Sequence, residues 1–177
     1  MISIGAKKIE KNFGKIIRDQ YYDNTENYFL VLNDYLLRYR VENNTGKWQL
    51  KYPSQPIDRS RDIENYFEAE NSQDISQLVL DLAKKRAFFQ NKMHMSHLET
   101  VESLVSALDL ECFVKINSKR KSYRFEMMKI DLDETDFGYK LGEIELILDH
   151  GASQETKEES FKKISGLTNQ LGKYLNF

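Results

Sequence analysis

A chain of 177 residues fits one domain with a substantial core, and a net charge of −2 with 31% charged residues excludes the basic profile of a general nucleic-acid binder. Cys112 is the single cysteine, which excludes an internal disulfide framework. The opening Met-Ile-Ser-Ile-Gly-Ala-Lys-Lys carries no apolar region of signal-peptide length, and no apolar run would span a bilayer, so a cytoplasmic, monomeric protein without a membrane partner is expected.

Taken in chain order, the first half reads as strands. Asp23–Asn27 and Glu42–Gly46 are polar turn clusters, and the run between them pairs with Lys47–Tyr52 as a predicted hairpin. Side chains two apart on a strand share a face, so Arg38 and Arg40 lie on one side while Leu37, Tyr39 and Val41 lie on the other. Lys51 has the parity opposite to Trp48 and Leu50. Pro53 and Pro56 bracket a loop, and Ile63–Glu70 follows as a strand whose Glu64, Tyr66, Glu68 and Glu70 oppose Ile63 and Phe67.

Two helices come next. Ile75, Leu78, Val79, Leu82 and Phe89 fit a helical period, and Ser96-His-Leu-Glu99 has the form of a capping box opening a helix with Leu98, Val101, Val105 and Leu108 on one face. Strands return at Glu111–Asn117, Lys121–Lys129, Lys129–Asp133 and Lys140–Asp149. A final helix is predicted from Thr156 with Glu159 as its box partner; it carries Phe161, Ile164, Leu167 and Leu171, and Gly172 stops it. Roughly eight strands with interspersed helices predict an α+β fold, a closed or nearly closed antiparallel barrel flanked by helices.

The later strands repeat the charge alternation of the first ones. Arg120, Ser122 and Arg124 share one side, Asp131 and Asp133 share one side, and so do Glu143 and Glu145. Any one such row is compatible with a solvated strand face. Collected inside one barrel, the rows would give a cavity with basic and acidic walls, suited to a polyphosphate and its divalent cation. His94 and His97 lack partners at zinc-ligand spacing, and Cys112 within Leu110–Val114 reads as a small buried hydrophobe.

In order and spacing, Tyr21-Tyr-Asp23, Asp34–Arg40 and Trp48–Lys51 resemble the CYTH, or triphosphate tunnel, proteins. The run Lys119-Arg120, Asp131-Leu-Asp133, Asp136-Phe-Gly-Tyr139 and Gly142–Glu145 is similar to the animal-type thiamine triphosphatases in particular. The likeness extends from about Ile9 to Gly172. It implies a single tunnel domain over residues 1–177, an eight-stranded antiparallel barrel that binds a small-molecule triphosphate and hydrolyses its terminal phosphate with Mg²⁺, Mn²⁺ being an alternative. Carried over residue by residue, it implies Arg38, Arg40, Lys51 and Arg120 as phosphate ligands. Glu10, Asp131, Glu143 and Glu145 become metal ligands, with Asp133 as their neighbour and Glu68, or Glu70 in its place, as a further tunnel acid; parity with Arg120 adds Arg124.

The family's opening strand, Glu-x-Glu-x-Lys, reads Lys8-Ile-Glu10-Lys-Asn12 here, which keeps one acid and loses the other along with the lysine. The family's late-helix lysine has Lys173 as its stand-in. Three functions are therefore in competition: a triphosphatase, a tunnel that retains a polyphosphate or nucleotide without efficient turnover, and a lipocalin-like barrel with its apolar parity inward.

Overall fold

The computed structural model describes residues 7–8, 14–54, 66–85, 98, 100–149 and 151–175. Its strands are β1 (Lys7–Lys8), β2 (Lys15–Asp23), β3 (Leu36–Glu42), β4 (Thr45–Pro53), β5 (Tyr66–Ala69), β6 (Glu111–Phe125), β7 (Met128–Thr135) and β8 (Lys140–Glu145). The helices are α1 (Ser72–Lys85), α2 (Val101–Ala107) and α3 (Gln154–Leu175), with a short 3-10 turn at Val31–Asn33. The hydrogen-bonded order is β5-β4-β3-β2-β6-β7-β8, with β1 paired to β6. β5 and β8 end this order, so the ladders among the described residues make an antiparallel sheet and not the closed eight-stranded barrel expected. The α+β class stands. Among the described residues no helix is long and apolar enough to cross a membrane.

The chain divides into two compact units, Ile17–Asn117 and the N-terminal segment through Ile16 joined with Ser118–Phe177, and each has its own apolar cluster. In the first, Leu37 and Leu50 stand opposite one another on β3 and β4 and are almost wholly buried with Phe29, Ile75, Val79, Val101 and Leu104. Burying side chains of this size contributes about 1.5–3 kcal/mol each. Trp48 extends the contact to α2 by donating Nε1–H to Glu102 at 2.6 Å. In the second unit, Met128, Ile130 and Leu167 form the buried centre, with Tyr123, Phe125, Ile144, Ile164 and Leu171 around it. The apolar parity of each strand set is thus covered by helices. That orientation argues against the lipocalin-like reading.

Several predicted boundaries shift for identifiable reasons. The β3–β4 turn forms at Asn43 and Asn44, both at positive φ (50° and 61°), which Asn tolerates better than most residues. The strands expected at Glu111–Asn117 and Lys121–Lys129 are one strand, β6, and the turn falls later, at Glu126 with φ 53°. Helix α2 opens on Thr100, whose side chain accepts from Ser103 N–H at 3.1 Å; Ser96 lies outside the described residues. Helix α3 opens earlier than Thr156, with Ser153 Oγ accepting the Thr156 N–H at 3.1 Å, and it runs through Gly172 to Leu175. Phe161 is exposed and does not join the face formed by Ile164, Leu167 and Leu171. β8 ends at Glu145, short of the expected Asp149. Cys112 is half-buried, not fully buried.

Candidate functional site

Directly opposed residues in an antiparallel ladder share a face, so the registers turn the predicted rows into surfaces. In the first unit, Arg38 is opposite Tyr21 and Gln49, and Arg40 is opposite Asp19 and Lys47. Lys51 is opposite Leu36 and Glu68. This face is the one turned away from the Leu37–Leu50 core. Arg40 donates both Nε–H and Nη2–H to Asp19, at 2.7 and 2.6 Å, in a paired fork, with Asp19 buried and Arg40 half-buried. Arg38 donates Nε–H to Gln49 Oε1 at 3.0 Å and Nη2–H to Glu68 Oε1 at 3.2 Å. Gln49 in turn donates to Glu70 at 2.6 Å, and Lys47 pairs with the same carboxylate. Those two donors hold the Glu70 carboxyl below its ordinary range. The Lys51 ammonium lies 5.0 Å from the centre of the Tyr66 ring, within cation–π range.

In the second unit the charged face runs across β6, β7 and β8. Arg120 is opposite Asp133, Ser122 is opposite Asp131, and Arg124 is opposite Lys129. Across the next ladder Asp131 is opposite Glu143, and Lys129 is opposite Glu145. Arg120 sits among the acids. It donates Nε–H and Nη2–H to the two oxygens of Asp133 at 2.8 and 2.7 Å, and Nη1–H to Asp131 Oδ2 at 2.6 Å, with Glu143 at 3.9 Å. Burial pulls the Arg120 pKa down, but the bond to Asp133 and the charges of Asp131, Asp133 and Glu143 more than reverse this, so the guanidinium stays charged.

Asp131 is the pivot of this face and is 3% exposed. Its Oδ1 accepts Ser122 Oγ–H at 2.6 Å, and its Oδ2 accepts from Lys129 Nζ at 2.7 Å as well as from Arg120. Burial pushes its carboxyl up, while the Lys129 and Ser122 hydrogen bonds and the Arg120 charge push harder the other way, leaving it below the ordinary carboxylate range. Lys129 also reaches Glu145 at 3.7 Å.

Arg38, Arg40, Lys51 and Glu68 therefore share one face in the first unit, and Arg120, Arg124, Asp131, Asp133, Glu143 and Glu145 share one face in the second. Glu10, Asn12, His94 and His97 lie outside the described residues, as do the side chains of Lys8 and Lys173. β1 pairs Lys7 with Arg124 and Lys8 with Tyr123. Glu70 was singled out from sequence as the alternative to Glu68, whereas Asp19, Gln49 and Lys129 were not. Their signal is alternation on β2, β4 and β7, which becomes specific only once the partner strand is known.

Glu10, Asp131, Glu143 and Glu145 were expected to hold a divalent metal; Glu10 lies outside the described residues, and the other three as placed do not fit one. Among the described residues no group of three His, Cys, Asp or Glu side chains is arranged to hold a metal ion. Asp131 and Glu145 are instead bridged by the Lys129 ammonium, and Asp131 and Asp133 by the Arg120 guanidinium.

The family model for the CYTH domain matches residues 3–174, and the chain belongs to that family. No curated protein matches the chain significantly. Among solved structures it is similar to the PH1819 protein of Pyrococcus horikoshii OT3, at 20% identity and a TM-score of 0.55, covering 94% of this chain and 78% of that one. A conserved hypothetical protein of Pyrococcus furiosus matches at 17% identity and a TM-score of 0.55, covering 96% and 79%. A candidate adenylate cyclase of Vibrio parahaemolyticus matches at 13% identity and a TM-score of 0.56, covering 93% and 74%. At these identities the structural likenesses speak for the fold.

Proposed function

We propose that this protein is a triphosphatase that binds a small-molecule triphosphate through Arg38, Arg40, Lys51 and Arg120 and hydrolyses its terminal phosphate, with thiamine triphosphate as the preferred substrate. The observation that carries the reading is the set of half-buried guanidiniums on the faces turned away from the helix-packed cores, in a chain of the CYTH family. Guanidinium forks stay charged and match phosphate oxygens in pairs, whereas a carboxylate partner offers only one charge. A triphosphate carries several charges and competes well for the same N–H groups. The thiamine preference rests on Asp136-Phe-Gly-Tyr139 and its neighbours, which resemble the animal-type thiamine triphosphatases.

A phosphate-release panel on thiamine triphosphate, inorganic tripolyphosphate and ATP, each run with Mg²⁺, with Mn²⁺ and with EDTA, tests this. Release should be fastest from thiamine triphosphate. Conversion of ATP to cyclic AMP without phosphate release would replace the hydrolase reading with a cyclase one. Tight binding of tripolyphosphate with no release from any substrate would favour the non-hydrolysing tunnel, a reading supported by the occupation of the acids by Arg120 and Lys129. In either case Arg38→Ala should weaken tripolyphosphate binding by about 1.5–3 kcal/mol, the range for a hydrogen bond to a charged group. Unchanged affinity by calorimetry would remove Arg38 from the site.

A further inference from the structure

We infer that Lys129 is a resident counter-cation of the acidic row, and that a divalent metal must displace its ammonium to reach Asp131 and Glu145. The inference concerns the same charged face as the proposed triphosphatase site but does not need turnover to occur there. Lys129 and Asp131 are two apart on β7 and so share a face. The next strand brings Glu145 directly opposite Lys129. One Nζ therefore lies 2.7 Å from an Asp131 oxygen and 3.7 Å from a Glu145 oxygen, held between two strands as an oxygen-seeking cation would be.

The surrounding groups set the competition. From β6, Arg124 is opposite Lys129, and Arg120 and Ser122 donate to the shared Asp131; from β8, Glu143 stands opposite Asp131. A divalent ion seeks oxygen ligands, carboxylates among them, and it is repelled by cations already bound to those carboxylates. A metal entering here would lose Asp131 to Lys129 and Arg120 and would meet the Lys129 charge at Glu145. The expected metal ligands and the observed arrangement disagree for this reason. Among the described residues Lys129 bridges Asp131 and Glu145 with a single ammonium, whereas Arg120 is anchored twice on Asp133.

The test is a Mn²⁺ titration of the full chain, followed by paramagnetic resonance of the free ion, with no triphosphate present. Lys129→Met should bind Mn²⁺ at least about tenfold more tightly than the parent, which corresponds to about 1.4 kcal/mol. Lys129→Arg, which keeps the positive charge, should stay close to the parent. Adding Glu145→Gln to Lys129→Met should abolish the gain. Lys129→Gln repeats the measurement should the methionine variant fail to fold, because its amide still donates to Asp131. Equal affinities in the parent and the neutral variants overturn the inference, as does an equal gain in Lys129→Arg. Because the titration contains no substrate, its outcome is separate from the phosphate-release panel.

Discussion

Replacing Asp131 with alanine should destabilise the chain by about 3–5 kcal/mol, the usual cost of removing one partner from a buried ion pair. Three donors converge on this one carboxylate: Arg120 Nη1–H at 2.6 Å, Ser122 Oγ–H at 2.6 Å and Lys129 Nζ at 2.7 Å. Without it the Ser122 hydroxyl is left buried, and two cations lose the charge they share. Arg120 keeps Asp133, which holds the cost near the lower end of the range. Asp131→Asn retains the shape and one acceptor oxygen, so its cost should be smaller. The control is Glu134→Gln. Its partner Lys140 is 4.0 Å away and both side chains are well exposed, so the change should stay within about 1 kcal/mol. Urea unfolding of the three variants checks the ordering. A cost for Asp131→Ala no greater than that of Glu134→Gln would show that the charged face contributes nothing to stability.

The faces were legible in the sequence because parity is local. A strand sends alternate side chains to opposite sides whatever it pairs with, so Arg38 with Arg40, Arg120 with Ser122, and Asp131 with Asp133 could be grouped without a partner strand. Who meets whom depends on register, and register depends on turns. Asn43-Asn44 is a recognisable hairpin signal, and it fixes Arg40 opposite Lys47. The β6–β7 turn has no such signal. Glu126 adopts positive φ without being glycine or asparagine, so Lys121–Lys129 read as one strand and Lys129 fell at its boundary instead of in the acidic row. Asp19 was hidden in the same way, since its partner Arg40 lies on the next strand. Helix starts failed for a related reason. Ser and Thr occur in clusters at both α2 and α3, so several candidates of equal capping ability compete in the sequence, and the observed caps are Thr100 and Ser153.

Asp23→Ala should be comparably costly, about 3–5 kcal/mol, but for a different reason and with the opposite dependence on pH. Asp23 is fully buried and accepts no side-chain donor in the bonds that define its role. Its Oδ1 takes the N–H groups of Asn24 at 2.8 Å and Leu30 at 3.1 Å, and its Oδ2 takes that of Val31 at 2.9 Å. It thereby ties the end of β2 to the turn that places Phe29 and Leu30 in the core. Alanine leaves three backbone donors without this acceptor, each costing about 1–3 kcal/mol if buried, offset in part by relief from burying a carboxylate. Asp23→Asn keeps one acceptor oxygen and turns the other into a donor facing Val31 N–H, so it should lose about 1–3 kcal/mol. Burial raises the Asp23 carboxyl more than the three backbone N–H bonds lower it. A raised value means that the folded chain holds the proton more tightly than the unfolded one. The contribution of Asp23 is then complete below its unfolded pKa and declines as pH rises through the folded one. Asp131, held low, behaves inversely: its contribution is present above the unfolded pKa and is lost as pH falls through the folded value. The cost of Asp23→Ala should therefore shrink as pH rises from the acid range towards neutrality, while that of Asp131→Ala should shrink on acidification. Urea unfolding of both variants and the parent across that range reads the two slopes directly. Slopes of the same sign would mean that one of these carboxylates is not held in the environment described here.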